Sequence, residues 1–142
     1  MQPLSPLQLL MPEANGRWEP LDDFVSERLF EAGFWRSPGC SDGLSKARVI
    51  EDGPDRVRIT GQIWEIEHQT LHSFWLDVVR EGTCPNKFDW TMYLELDASK
   101  LTPRQVRNAY YVIEDPGQVA WRLVVSGHAV AQESRLVAID GK

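Results

Sequence analysis

Phe88-Asp89-Trp90-Thr91-Met92-Tyr93-Leu94-Glu95-Leu96-Asp97 alternates apolar and polar residues without a break. Period two over this length is a β-strand with one face in a core. Phe88, Trp90, Met92, Leu94 and Leu96 share the inner side, which leaves Asp89, Thr91, Tyr93, Glu95 and Asp97 on the other. That second face carries acids and a tyrosine, so it is the first candidate for a working surface.

The neighbouring segments extend the pattern. Thr70 to Arg80 reads as a strand with His72, Phe74, Leu76 and Val78 on one parity and Leu71, Ser73, Trp75, Asp77 and Val79 on the other. Arg56 to Ile66 reads as another, with Val57, Ile59 and Ile63 against Arg58, Thr60, Gln62 and Trp64. Gly61 in its middle marks a bulge or a close backbone approach. Asp52-Gly53-Pro54-Asp55 and Glu67 to Gln69 supply turns. Short links between successive strands imply an antiparallel meander.

Upstream, Lys46 to Glu51 is a candidate strand, and residues 36–46 read as loop from their Ser, Gly and Pro content. Residues 20–33 predict a helix: Leu21, Phe24, Val25, Leu29 and Ala32 form one stripe, Asp22 and Asp23 suit the dipole of the first turn, and Gly33 follows. Met1 to Pro12, interrupted by Pro3, Pro6 and Pro12, reads as part of an extended arm over residues 1–19.

Downstream, Thr102-Pro103-Arg104-Gln105 has the form of a capped helix start. A short helical turn followed by a strand is expected over Ala109 to Glu114, then a turn at Asp115-Pro116-Gly117-Gln118. Val119 to Val130 alternates and is expected to bend at Ser126-Gly127; Arg135 to Asp140 is a last strand. The expected fold is α+β. Six or seven antiparallel strands over residues 46–140, as a meander, a half-closed sheet or a barrel, pack on the N-terminal amphipathic helix.

The length of 142 residues, with 42% apolar and 25% charged residues, fits a single domain over 1–142. Mean hydropathy is −0.35. No apolar run approaches the roughly 18 residues of a membrane span. The first residues lack the charged region and cleavage pattern of a signal peptide, so a cytoplasmic location is expected. A net charge of −6 argues against nucleic acid, which needs a concentrated basic patch.

Catalytic and metal chemistry find little purchase. Cys40 and Cys84 are far-apart thiols in turn-rich segments, and no Cys-x-x-Cys is present. His68 and His72 have i, i+4 spacing, but a turn and a strand would scatter them, and His72 reads as a core histidine. Neither a P-loop nor a dinucleotide fingerprint appears. Asp89 and Glu95 on one strand lie about 20 Å apart, too far for a two-carboxylate glycosidase. No catalytic residue, metal or cofactor is expected.

If the apolar parities of the strands turn inward together, Trp64, Trp75, Asp77, Asp89, Tyr93 and Glu95 share the outer face with Arg58 and Gln62. Flat amphipathic rings beside charges suit a binding hot spot. The leading expectation is a non-enzymatic binding or inhibitor module that engages a basic protein, with the rings as anchors and the acids steering. Small acidic inhibitors such as toxin-neutralising immunity proteins share this general character, although no residue pattern ties the chain to that class. The competing expectations are a barrel-like small-molecule binder or enzyme with Tyr93, Glu95 and Arg122 lining a polar cavity, and a homodimeric assembly module. The plainest reading of the same face is structural: tryptophans covered by the N-terminal arm or by the amphipathic helix, acids solvated, and Arg58 paired with an acid across strands.

Overall fold

The computed structural model describes residues 3–11, 19–31, 41–65, 70–97, 112–114 and 120–139. Two helices, α1 (Pro6–Leu10) and α2 (Glu19–Glu31), precede seven strands. These are β1 (Ser41–Asp52), β2 (Arg56–Glu65), β3 (Thr70–Arg80), β4 (Lys87–Asp97), β5 (Val112–Glu114), β6 (Ala120–Gln132) and β7 (Arg135–Ile139). They form one antiparallel sheet in the order β1-β2-β3-β4-β6-β5, with β7 also on β6. β5 pairs with residues 122–124 of β6 and β7 with residues 128–132, so two short strands share the last edge. The sheet is a meander from β1 to β4 and does not close into a barrel.

Alternation decides the middle of the sheet. Val57, Ile59 and Ile63 on β2, Phe74, Leu76 and Val78 on β3, and Phe88, Trp90, Met92 and Leu94 on β4 are all buried. The helices cover this face. Leu21, Phe24, Val25 and Leu29 form the buried stripe of α2 at helical spacing, and Leu9 and Leu10 of α1 join the same cluster. Phe24 meets Trp90 edge to face at 5.7 Å and 86°. α2 touches both β1 and β7, so it sits between the two ends of the open sheet.

Two glycines on the inner face make room for aromatics on the facing strand. Gly61 stands opposite Phe74, and a Cβ there would lie 2.9 Å from Phe74 Cε1 and 3.0 Å from Ala47 Cα. Gly127 stands opposite Trp90, with 2.9 Å to Trp90 Cζ2. At the expected bend of Ser126-Gly127 no bulge interrupts the ladder: β4 and β6 pair without a register shift from Lys87 to Asp97. Gly127 serves the Trp90 ring, whose indole N–H also reaches the His128 carbonyl at 3.2 Å.

Two expectations are corrected. The N-terminal arm is not extended throughout, because Pro6–Leu10 is helical. Ser5 Oγ accepts from the Gln8 N–H at 3.2 Å and Gln8 Oε1 accepts from the Ser5 N–H at 2.8 Å, a capping box with Pro6 at the first helical position. Burial of Leu9 and Leu10 then holds a helix too short to persist alone. Residues 41–46 are strand rather than loop, since β1 begins at Ser41 and tracks β2 through register shifts that absorb its irregular composition. The proposed helix start at Thr102 to Gln105 and the turn at Asp115 to Gln118 lie outside the described residues. So do the turn at Glu67 to Gln69, Ala32, Gly33, Cys40 and His68.

Candidate functional site

The outer face of β2, β3 and β4 is a lattice whose rows follow from register. Arg58, Asp77, Thr91 and Ser126 make one row; Thr60, Trp75, Tyr93 and Val124 make the next. A row holding Gln62, Ser73 and Glu95 follows, then Trp64 opposite Leu71. On the other side of Arg58 and Asp77 lies a row holding Arg56, Val79, Asp89 and His128.

All six candidates, Trp64, Trp75, Asp77, Asp89, Tyr93 and Glu95, belong to the parity that faces away from the core cluster. They are not one tight site. Adjacent rows are about 6.8 Å apart at the usual rise of a strand, so Trp64 and Asp89 lie roughly 27 Å from each other along it. Trp75 and Tyr93 stand directly opposite, and with Asp77 and Arg58 they line a hollow of about 240 Å³. Trp64, Asp89 and Glu95 stand outside that hollow.

Arg58 is the member whose role only pairing reveals. Its Nε donates to Asp77 Oδ1 at 2.6 Å and its Nη2 to Asp77 Oδ2 at 3.0 Å, a two-pronged pair. The hydrogen bond to Asp77, then the Asp77 charge, raises the Arg58 pKa above the ordinary guanidinium value; partial burial works weakly the other way. The arginine remains 43% exposed and the aspartate 20%. The expected cross-strand pairing of Arg58 with an acid is thus present, and it fixes the floor of the hollow. The Gln62 side chain in the row beyond Trp75 has its Oε1 buried with no hydrogen-bond partner.

The tryptophans are not under the helix. α2 packs on the opposite side of the sheet, Trp64 is 37% exposed and Trp75 is half-buried among its strand neighbours. Trp64 and Leu71 face each other as an exposed apolar pair, with Leu71 at 47%. At the other end, His128 Nδ1 lies 2.6 Å from Asp89 Oδ1, a contact between β4 and β6.

Arg80 is a residue whose importance the sequence alone conceals. It has inner-face parity at the end of β3, and its side chain is 9% exposed. Nε donates to Asp55 Oδ1 at 2.9 Å, Nη2 donates to the carbonyls of Leu4 and Pro54 at 2.7 and 3.0 Å, and Nη1 reaches the Pro85 carbonyl. The guanidinium lies over the Phe88 ring at 4.8 Å. It joins the segment before α1 to two turns of the sheet, and its role is architectural.

A second hollow, of about 340 Å³, lies between α2 and β7, lined by Phe24, Arg28 and Leu136 among others. Arg28 is 6% exposed there, donates from Nη2 to Glu31 Oε1 at 3.0 Å, lies 3.5 Å from Glu27 Oε2 and stacks on Phe24. His72 is fully buried opposite Ile63, and Cys84 is a half-buried free thiol. Among the described residues no three His, Cys, Asp or Glu side chains group as metal ligands, and no helix is long and apolar enough to cross a membrane.

No protein-family model matches the chain, and neither the curated proteins nor the solved structures contain a match.

Proposed function

We propose that this chain is a protein-binding module that engages a basic partner through the outer face of β2, β3 and β4. The observation that carries the reading is the Trp75–Tyr93 pair. An indole and a phenol face each other across two strands, beside the Arg58–Asp77 pair, on the side away from α1 and α2. Aromatic rings that are already half-buried lose little freedom when a partner covers them, so they suit an anchor. The surrounding Asp89 and Glu95 are exposed, and the chain carries a net charge of −6, which favours approach by a positive surface.

Dimensions favour a protein over a small molecule. The candidate residues spread over roughly 27 Å, comparable with the side of a standard interface burying about 800 Å² per partner. The hollow at their centre, 240 Å³, falls below the roughly 300 Å³ at which ligand pockets begin. The interior of the sheet is filled by Phe74, Phe88, Met92 and the helix side chains. A polar barrel cavity therefore has no support among the described residues. The exposed Trp64–Leu71 pair at one end of the face is the feature that favours a second reading, self-association through the same surface.

The test is comparative capture. Wild-type protein, Trp75→Ala and Asp89→Lys are immobilised in parallel, and the protein retained from native lysate is purified and its association measured. Loss of the Trp75 anchor is expected to weaken binding by about 2 kcal/mol or more. Asp89→Lys is expected to slow association about three- to tenfold at low salt and far less at high salt. A retained protein indifferent to both variants, or bound independently of salt, refutes the proposal. Light scattering that reports a dimer dispersed by Trp64→Ala selects self-association instead.

A further inference from the structure

We infer that the groove between α2 and the free edge of β7 binds an extended, lysine- or arginine-bearing peptide segment that adds to the sheet as a further antiparallel strand. This site is distinct from the outer face of β2 to β4. The argument begins with β7 itself. Among the described residues β7 pairs only with β6, and no other described strand lies beside its second edge. Leu136 and Ala138 point to the core side and Arg135 and Val137 to the other, yet all four line the 340 Å³ hollow. A cavity that touches both parities of a strand runs along its backbone edge.

The ladder shows which groups that edge offers. Gln132 and Arg135 flank the two-residue turn Glu133-Ser134, where φ is 53° and 64°, the positive values of a tight hairpin turn. The pair that closes such a turn is hydrogen-bonded, and bonding alternates along an antiparallel ladder. Val137 opposite Val130 therefore spends its backbone N–H and C=O on β6, whereas Leu136 and Ala138 direct theirs to the free edge. An extended peptide is the partner that satisfies such a row of donors and acceptors.

The far wall selects the side chains. Asp23, Glu27 and Glu31 recur at helical spacing on α2 and line the groove as exposed carboxylates. Two arginines share the lining, but Arg28 is held at 6% exposure by Glu27, Glu31 and the Phe24 ring, and its Nε has no hydrogen-bond partner. Arg135, at the start of β7, is exposed, so the whole lining carries three carboxylates against two guanidinium groups, and the excess negative charge lies on the helix wall. Phe24 and Leu136, each with a small exposed area, supply an apolar floor for the alternate, inward side chains of the guest. A second copy of this chain fits less well. Its own β7 is flanked by its own α2, and a strand entering this groove must be bare on the side that meets the helix.

The experiment is fluorescence anisotropy with fluorescein-labelled Lys-Val-Lys-Val-Lys-Val-Lys, its Glu-Val counterpart, and a Lys-Val peptide N-methylated at alternate residues. The lysine peptide is expected to bind saturably, with both other peptides at least about tenfold weaker, because one loses the charge match and the other the backbone bonds. Ala138→Pro deletes a free-edge N–H while leaving the β6 ladder intact, and is expected to weaken the lysine peptide about tenfold with an unchanged circular dichroism spectrum. Asp23→Lys, at an exposed position, is expected to weaken it about threefold at low salt. If Ala138→Pro fails to fold, the methylated peptide and Asp23→Lys still decide. Equal binding of the methylated peptide, binding unmoved by both variants, or no binding of the lysine peptide at millimolar concentration overturns the inference. Trp75→Ala should leave this binding unchanged, which separates its fate from that of the outer face.

Discussion

Phe74 and Trp75 are adjacent in sequence and live in different environments. Phe74 has no exposed surface, lies against the bare backbone of Gly61 and belongs to the core under the helices. Trp75, one residue on, is half-buried beside Tyr93 on the side away from the helices. A strand gives alternate residues to opposite faces, so one segment answers two demands. The inner face is constrained by volume, since every neighbour is already in contact. The outer face is constrained by little that folding requires, which is why large rings there ask for another explanation.

Truncation should separate the two faces most sharply. Phe74→Ala is expected to lower unfolding free energy by about 3–5 kcal/mol through lost burial and the cavity left behind. Trp75→Ala should cost about 1 kcal/mol or less, as partly exposed positions outside the core do. Urea unfolding of the two variants checks this; a Trp75 loss equal to that of Phe74 would make the outer ring a second core and remove the case for a docking face.

The arginines repeat the contrast. Arg80, with inner-face parity, has four oxygen partners and an aromatic ring beneath it; Arg58, on the outer face, pairs with one aspartate. Arg80→Ala is expected to destabilise by about 2–3 kcal/mol, because charged hydrogen bonds to carbonyls and packing on Phe88 are lost together. Proteolysis in the native state should also report it. The segment around Leu4 should become more readily cleaved, since its carbonyl loses the Nη2 donor.

Much of this architecture is legible before any coordinates. β2, β3 and β4 were readable within a residue or two because their alternation is uninterrupted, and α2 because its apolar residues repeat at helical spacing. What failed was local punctuation read without its partners. Ser5-Pro6-Leu7-Gln8 has the same cap, proline and glutamine spacing as Thr102-Pro103-Arg104-Gln105, yet three prolines around it argued for an extended arm. Gly127 has a second reason that its local sequence does not show, a tryptophan 37 residues earlier on another strand. The outer residues could be assigned to a face from parity alone. Their rows could not, because register belongs to two strands at once. Thus Trp75 with Tyr93, and Arg58 with Asp77, became neighbours only in the folded sheet, while Trp64, Asp89 and Glu95 fell into other rows.

Glycine sharpens the comparison at finer scale. Gly61→Ala puts a methyl 2.9 Å from the Phe74 ring and 3.0 Å from the Ala47 backbone. The ring can tilt, but the backbone of β1 cannot yield without disturbing its register. Overpacking of this kind is expected to cost about 1–3 kcal/mol, despite the gain in chain stiffness from losing a glycine. The outer neighbour Thr60→Ala loses only a hydroxyl bonded to the Phe74 carbonyl at 2.9 Å, about 1 kcal/mol. Thermal melts of the two variants give the order; a neutral Gly61→Ala would mean that β1 and β2 separate more freely than their close approach implies.

The smallest effect belongs to the Arg58–Asp77 pair, and its size is itself informative. With Arg58 43% exposed, solvent screens the pair, so a double-mutant cycle with Arg58→Met and Asp77→Asn should give a coupling below about 1 kcal/mol. The arginine's pKa is raised by its bond to Asp77. A raised pKa in the folded state means a contribution fully present below the ordinary guanidinium value and lost only as pH climbs through the folded one. Arg58 titration therefore adds no slope to stability between pH 5 and 9, and the wild-type and Arg58→Met curves should run parallel across that window. Non-parallel curves there would mean that this pair is coupled to another titrating group. A coupling of several kcal/mol would mean that the pair is buried more deeply than its exposure states, and the outer face would then resemble the inner one in being built for folding alone.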